Sequence, residues 1–100
     1  MNDFSRAITG IVIDPGHGGA DGGASGNGII EKEMTLDISR YMYNRFKELG
    51  VPVAITRDND IELSSSVRPQ VILDAFGNGE NVIVISNHIN AGGRAVTLSI

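Results

Sequence analysis

Two histidines are the whole imidazole complement of this chain, and each follows an apolar run. His17 stands three residues after the end of Ile8–Asp14 (ITGIVID), and His88 two residues after the end of Asn81–Ser86 (NVIVIS). Glu31 and Glu33 lie immediately before a helical pattern that begins at Met34. Two imidazoles and one carboxylate, with a fourth position open, form the donor set of a catalytic zinc site. Spacing alone leaves open which of the two glutamates completes it. Other chemistries lack their residues. With no cysteine there is no thiolate zinc site, cysteine nucleophile or disulfide, and the redox compartment stays undecided. H-E-x-x-H, G-x-S-x-G and G-x-x-x-x-G-K-[ST] are all missing. In the glycine-rich segment after Gly16 and Gly18, Asp21 occupies the third glycine position of G-x-G-x-x-G, and an acid there opposes an anion. An anion-binding module built on that segment is therefore the weakest of the functional readings.

Placing these donors together falls to the elements around them. Ile8–Asp14 is β-branched, apolar and stopped by Pro15-Gly16, which reads as a buried strand. Met34, Ile38, Met42, Phe46 and Leu49 recur at helical spacing between charged residues. They predict an amphipathic helix of about four turns, packed on the sheet by that stripe and ended by Gly50 and Pro52. Val51–Thr56 predicts a second strand, and Ser64–Phe76 a second helix with Pro69 in its first turn. Asn81–Ser86 predicts a third strand, and Arg94–Ile100 alternates weakly at Val96, Leu98 and Ile100. The expected fold is α/β: an open, mainly parallel sheet with flanking helices, β-α-β-α-β, the strands ordered second, first, third. Both histidines then emerge at the carboxyl edge, where open α/β sheets bind ligands. Asp14 is expected to orient a ligand imidazole, Glu33 to point away from Glu31, Arg57, Asp58 and Asp60 to be solvated turn residues, and Arg68 a helix-surface charge. The apolar third strand, covered at most by Arg94–Ile100, suggests self-association through an exposed edge.

Composition narrows the class further. The 100 residues make one domain, 41% hydrophobic and 20% charged. Eight basic against twelve acidic residues give a net charge of -4, with no Lys/Arg run longer than two, which argues against nucleic-acid and anionic-membrane partners. No apolar run reaches the roughly 20 residues of a membrane span, and Met1–Arg6 lacks the build of a secretory signal. Of the 13 glycines, seven fall within Pro15–Gly28, a density that implies tight turns or a backbone pressed against something.

The segment Ile11-Val12-Ile13-Asp14-Pro15-Gly16-His17-Gly18-Gly19, followed by Asp21-x-Gly23-Ala24 and Glu31-Lys32-Glu33, resembles the opening of the zinc-dependent N-acetylmuramoyl-L-alanine amidases. Thr56-Arg57-Asp58-x-Asp60 resembles their next block, and Ser86-Asn87-His88-Ile89-Asn90-Ala91 their S-I-H-x-N-A block, with Asn87 where isoleucine is usual. The resemblance runs from Ile11 to about Gly93. It implies that His17, Glu31 and His88 are the zinc ligands, choosing Glu31 over Glu33. It also implies a hydrolase of the amide between N-acetylmuramic acid and L-alanine in peptidoglycan, acting at the cell wall as an autolysin, a sporulation or germination enzyme, or a phage endolysin. The family continues well past its second histidine to a catalytic glutamate, which would fall beyond Ile100. Residues 1–100 are thus expected to form a single, truncated amidase-like domain with no catalytic residue assigned and poor activity. The alternative is a non-catalytic fragment that binds zinc or peptidoglycan.

Overall fold

A computed structural model describes residues 8–77, 79, 81–89 and 96–99. The Met1–Arg6 segment and the Asn90-Ala91 end of the last family-like block lie outside them.

Strand β1 (Gly10–Pro15) is buried at every position, as expected of a continuous apolar run covered on both faces. The later strands β4 (Val53–Ile55) and β5 (Val82–Asn87) flank it in parallel, Ile13 facing Ile55 on one side and Ile85 on the other. The predicted order of the three parallel strands is the observed one. Beyond β5 lies β6 (Val96–Ser99), paired antiparallel from Val84↔Ser99 to Asn87↔Val96, so the four-stranded order is β4-β1-β5-β6. The outer edge of β5, for which the sequence offers only Arg94–Ile100 as cover, is paired along Val84–Asn87 by β6. No helix among the described residues is long and apolar enough to cross a membrane.

Between β1 and the first helix a small hairpin forms from β2 (Ser25–Gly26) and β3 (Ile29–Ile30), which the sequence reading leaves inside the glycine-rich loop. Asn27 and Gly28, at φ 53° and 77°, make the left-handed pair that a two-residue hairpin turn requires. Helix α1 (Glu31–Glu48) then starts three residues earlier than the apolar pattern suggests. Glu31 and Glu33 occupy its first turn, and Arg45 and Lys47 its last, each favourable to the helix dipole.

The side of α1 that meets the sheet differs from the predicted stripe. Its buried residues are Glu31, Thr35, Leu36 and Ser39, whereas Met34, Ile38, Met42 and Phe46 are only half-buried and Leu49 is 59% exposed. Small hydroxyl residues let the helix lie close to the ends of β1 and β5, and their polar atoms find partners there. Thr35 Oγ1 donates to Gly16 O at 2.8 Å, and Asn87 Nδ2 donates to Ser39 Oγ at 2.8 Å. Helix α2 (Val67–Phe76) has Pro69 in its first turn, and Ser64, not the N-cap Ser66, accepts from the Val67 amide.

Asn87 is 1% exposed, and its Oδ1 has no partner among the described residues. A buried acceptor left unpaired costs roughly 1–3 kcal/mol, while Ser39, once released, can bond within its own helix. Asn87→Ile is therefore expected to stabilise the protein by about 1 kcal/mol, measured by urea unfolding. A lower midpoint would show that the amide bond to Ser39 outweighs the orphaned oxygen.

Candidate metal centre

Three of the four candidate donors, His17, His88, Glu31 and Glu33, converge. One ligand atom each from His17, Glu31 and His88 lies within 4.8 Å of the others. His17 follows β1, Glu31 opens α1 and His88 follows β5, so the sheet and the first helix position all three. Glu31 Oε2 is 3.0 Å from His17 Nε2 and 3.5 Å from His88 Nδ1. Donors at the usual zinc bond lengths in a tetrahedron stand about 3.3–3.6 Å apart. The two imidazoles meet edge to face, ring centroids 5.3 Å apart. Glu33 is exposed on α1, as expected.

Glu31 is 4% exposed and would resist ionising there if it stood alone. Burial raises its pKa, but the amides of Ala24 and Ile89, 3.0 Å and 2.9 Å from its two oxygens, and the two imidazoles outweigh that. The net effect holds the carboxyl below its ordinary value, as an anion. On its other ring nitrogen, His17 Nδ1 meets Asp21 Oδ2 at 2.9 Å, and this bond is the main cause of the lowered Asp21 pKa. Asp21 also accepts from the Gly23 amide at 3.2 Å. An ionised carboxylate only accepts, so Nδ1 carries the hydrogen, and in the neutral imidazole Nε2 turns its lone pair toward Glu31 Oε2. Two lone pairs 3.0 Å apart call for a cation or a proton between them. The donor chemistry and spacing both fit zinc.

Asp21 is the residue the sequence reading missed. Its carboxylate, four residues after His17, does for the imidazole what was expected of Asp14. Asp14, 3% exposed, makes no imidazole contact: it accepts from Thr56 Oγ1 (2.8 Å), Arg68 Nη1 (2.6 Å) and Ser86 Oγ (3.0 Å). That network joins the carboxyl ends of β1, β4 and β5 to α2. Two further expectations fail for the same reason, because loop backbone needs buried donors. Arg57 is 2% exposed rather than solvated, and Arg68 is turned inward onto Asp14 rather than to solvent. Burial, then the neighbouring Arg68 charge, lowers the pKa of Arg57, which remains a guanidinium at all ordinary pH.

Asp60 is exposed as expected but latches the loop. It accepts from Lys32 Nζ at 2.9 Å and from the Gly19 amide at 2.7 Å, and Lys32 Nζ also donates to Gly19 O at 2.8 Å. The Lys32 bond, then the Gly19 amide, lower the Asp60 pKa. A carboxylate depressed in the folded state stabilises it above its unfolded pKa of about 4, and that gain disappears as pH falls through the folded value. Asp60→Asn should therefore lower the midpoint of thermal unfolding at pH 7 and have a shrinking effect below about pH 4. An equal loss at both pH values would assign the latch to hydrogen-bond geometry instead of charge.

Beside the three donors opens a cleft of about 410 Å³, lined by His17, Asp21, Leu63, Ser65, Arg68, Pro69, Ile72 and His88. Pro69 and Ile72 of α2, with Leu63 before it, give the cleft its apolar surface beside Arg68, and both imidazoles line it. With this geometry in place, comparison with known proteins is decisive, since the family described as N-acetylmuramoyl-L-alanine amidase matches residues 11–97. The chain belongs to that family. The germination-specific N-acetylmuramoyl-L-alanine amidase of Bacillus subtilis (strain 168) is 34% identical to it, over 81% of this chain and 38% of that protein. The sporulation-specific N-acetylmuramoyl-L-alanine amidase of the same organism is 38% identical, over 83% and 32%. The solved N-acetylmuramoyl-L-alanine amidase AmiC2 of Nostoc punctiforme superposes with a TM-score of 0.71 at 32% identity, covering 84% of this chain and 44% of that one. The chain thus spans under half the length of these amidases, and shares with the solved one the α/β fold that brings His17, Glu31 and His88 together.

Proposed function

We propose that this chain is the zinc-binding part of a peptidoglycan amidase, cutting the amide between N-acetylmuramic acid and L-alanine at the cell wall. The observation that carries the reading is the meeting of His17, Glu31 and His88 within 4.8 Å beside an open cleft. When bound, zinc supplies a Lewis acid that polarises the scissile carbonyl and acidifies a water molecule. His17, Glu31 and His88 would hold the ion, and Asp21 keeps the His17 proton on Nδ1, away from it. The cleft beside these residues, with Leu63, Pro69 and Ile72 in its lining, offers room for the substrate next to the ion.

A carboxylate base is needed to take the water's proton and pass it to the leaving nitrogen. Of the acids nearest the three donors in sequence, Asp14 is tied to Arg68 and Asp21 to His17 and the Gly23 amide, while Glu33 is exposed on α1. Efficient turnover is therefore proposed to depend on a carboxylate outside the described residues. The same observation favours a second reading, a fragment that binds zinc without turnover. Incubating the chain with zinc and a muramoyl-peptide separates them: slow, zinc-dependent release of the L-alanine-terminated peptide supports the amidase, and zinc binding with no release at all supports the second.

Zinc competes with protons for imidazole, and unperturbed imidazole side chains titrate near about 6.5. Zinc affinity is accordingly expected to be lower at pH 5 than at pH 7.5, measured by chelator competition. Equal affinity at the two would exclude histidine ligation.

A further inference from the structure

We propose that Arg57 and Arg68 are positioning residues that aim His17 at the metal by gripping three consecutive backbone carbonyls, an inference that rests on the zinc reading above. Arg68 Nη1 donates to Pro15 O at 2.8 Å, Arg57 Nη2 to Gly16 O at 2.8 Å, and Arg68 Nη2 to His17 O at 3.1 Å. Each carbonyl at the end of β1 is thereby held by a guanidinium from another part of the chain. The grip matters because His17 sits at φ 64°, a left-handed conformation that a residue with a side chain keeps only when its surroundings impose it. Relaxation of that backbone would swing the imidazole away from Glu31.

The two guanidiniums are themselves fixed. Arg68 is anchored by Asp14 at 2.6 Å. Arg57 Nη2 donates also to Lys32 O at 3.0 Å, so a single group bridges the loop that carries His17 and the helix turn that carries Glu31. Two ligand-bearing elements are thus locked in mutual register by a residue that touches neither ligand side chain. Only a planar, forked donor can serve several carbonyls in fixed directions, and a lysine ammonium in its place keeps the charge but not the fork.

Arg57→Lys and Arg68→Lys test this, with Arg45→Lys, an exposed arginine paired to Glu48 on α1, as the control. Zinc affinity is read by chelator competition, site geometry by the visible absorption of the cobalt-substituted protein, and folding by circular dichroism and thermal unfolding without metal. Each of the two lysine variants is expected to bind zinc about tenfold or more weakly and to show an altered cobalt spectrum, with the folded content of the wild type. Arg45→Lys should match the wild type in both. A lysine variant with a lower melting temperature but wild-type affinity and cobalt spectrum would overturn the proposal, leaving a purely structural role. So would failure of both variants to fold. Absence of zinc binding by the wild-type protein would instead overturn the underlying functional reading.

Discussion

Glu31→Gln is expected to lower zinc affinity by roughly 10³-fold or more, since it removes the site's anionic donor. The substitution changes more than charge. In the wild type one carboxylate oxygen accepts from the Ala24 amide and the other from the Ile89 amide, while the second also faces both imidazoles. Glutamine has a single accepting oxygen. Its amide nitrogen must therefore meet the backbone N–H of either Ala24 or Ile89, donor against donor, in a place where little water reaches. Without metal, the neutral-pH stability should fall by about 1–3 kcal/mol. Because the Glu31 pKa is held low in the fold, its contribution is present above the ordinary carboxyl value and lost as pH drops through the folded one. The stability gap between the two proteins should therefore close in acid.

His88→Ala separates the two effects, because this half-buried imidazole can be removed without stranding a buried anion's backbone partners. It should share the loss of zinc binding with a smaller loss of stability. Thermal unfolding with and without zinc is the measurement, as a ligand that binds only the folded state raises its melting temperature. A zinc-induced rise in Glu31→Gln equal to that of the wild type would sink the ligand assignment.

The parts of this site that the sequence reveals are those dictated by periodicity and topology. The Ile8–Asp14 and Asn81–Ser86 runs had to be central parallel strands, and a parallel sheet delivers His17 and His88 to one edge. The choice of Glu31 came from family resemblance, for spacing could not separate it from Glu33. What stayed hidden belongs to side chains that act on the backbone. Nothing in the spacing of Arg57 or Arg68 signals that loop carbonyls need them, since the need arises only from the three-dimensional path of residues 15–17. The buried side of α1 escaped for a related reason. Thr35 and Ser39 count as polar in a hydropathy pattern, yet their small size and local hydrogen bonds suit them to the closest helix–sheet contact. The Asn27-Gly28 hairpin did carry a signal, the dipeptide itself, obscured by the glycines around it.

Gly23→Ala is expected to damage both folding and metal binding, because the site is built against the missing side chain. A Cβ at Gly23 would lie 2.6 Å from His17 Cδ2, 2.7 Å from Glu31 Oε1 and 2.9 Å from Glu31 Cβ. No flexible chain end is available to yield: His17 is held by Asp21 and its own gripped backbone, and Glu31 by two amides at the start of a helix. The backbone at φ 72° adds a left-handed penalty of roughly 1–2 kcal/mol for any residue with a side chain. Together these predict a destabilisation of at least about 2–3 kcal/mol. Zinc affinity should fall by roughly 100-fold, as whichever ligand gives way leaves its productive position. The neighbouring Gly22→Ala is the matched control. A Cβ there makes only an ordinary contact, 3.5 Å from Ile30 Cγ2, and Gly22 has no left-handed φ. Its unfolding midpoint and zinc affinity should stay close to the wild type. If Gly23→Ala binds zinc as tightly as Gly22→Ala, the close approach of loop and ligands is not what shapes the site.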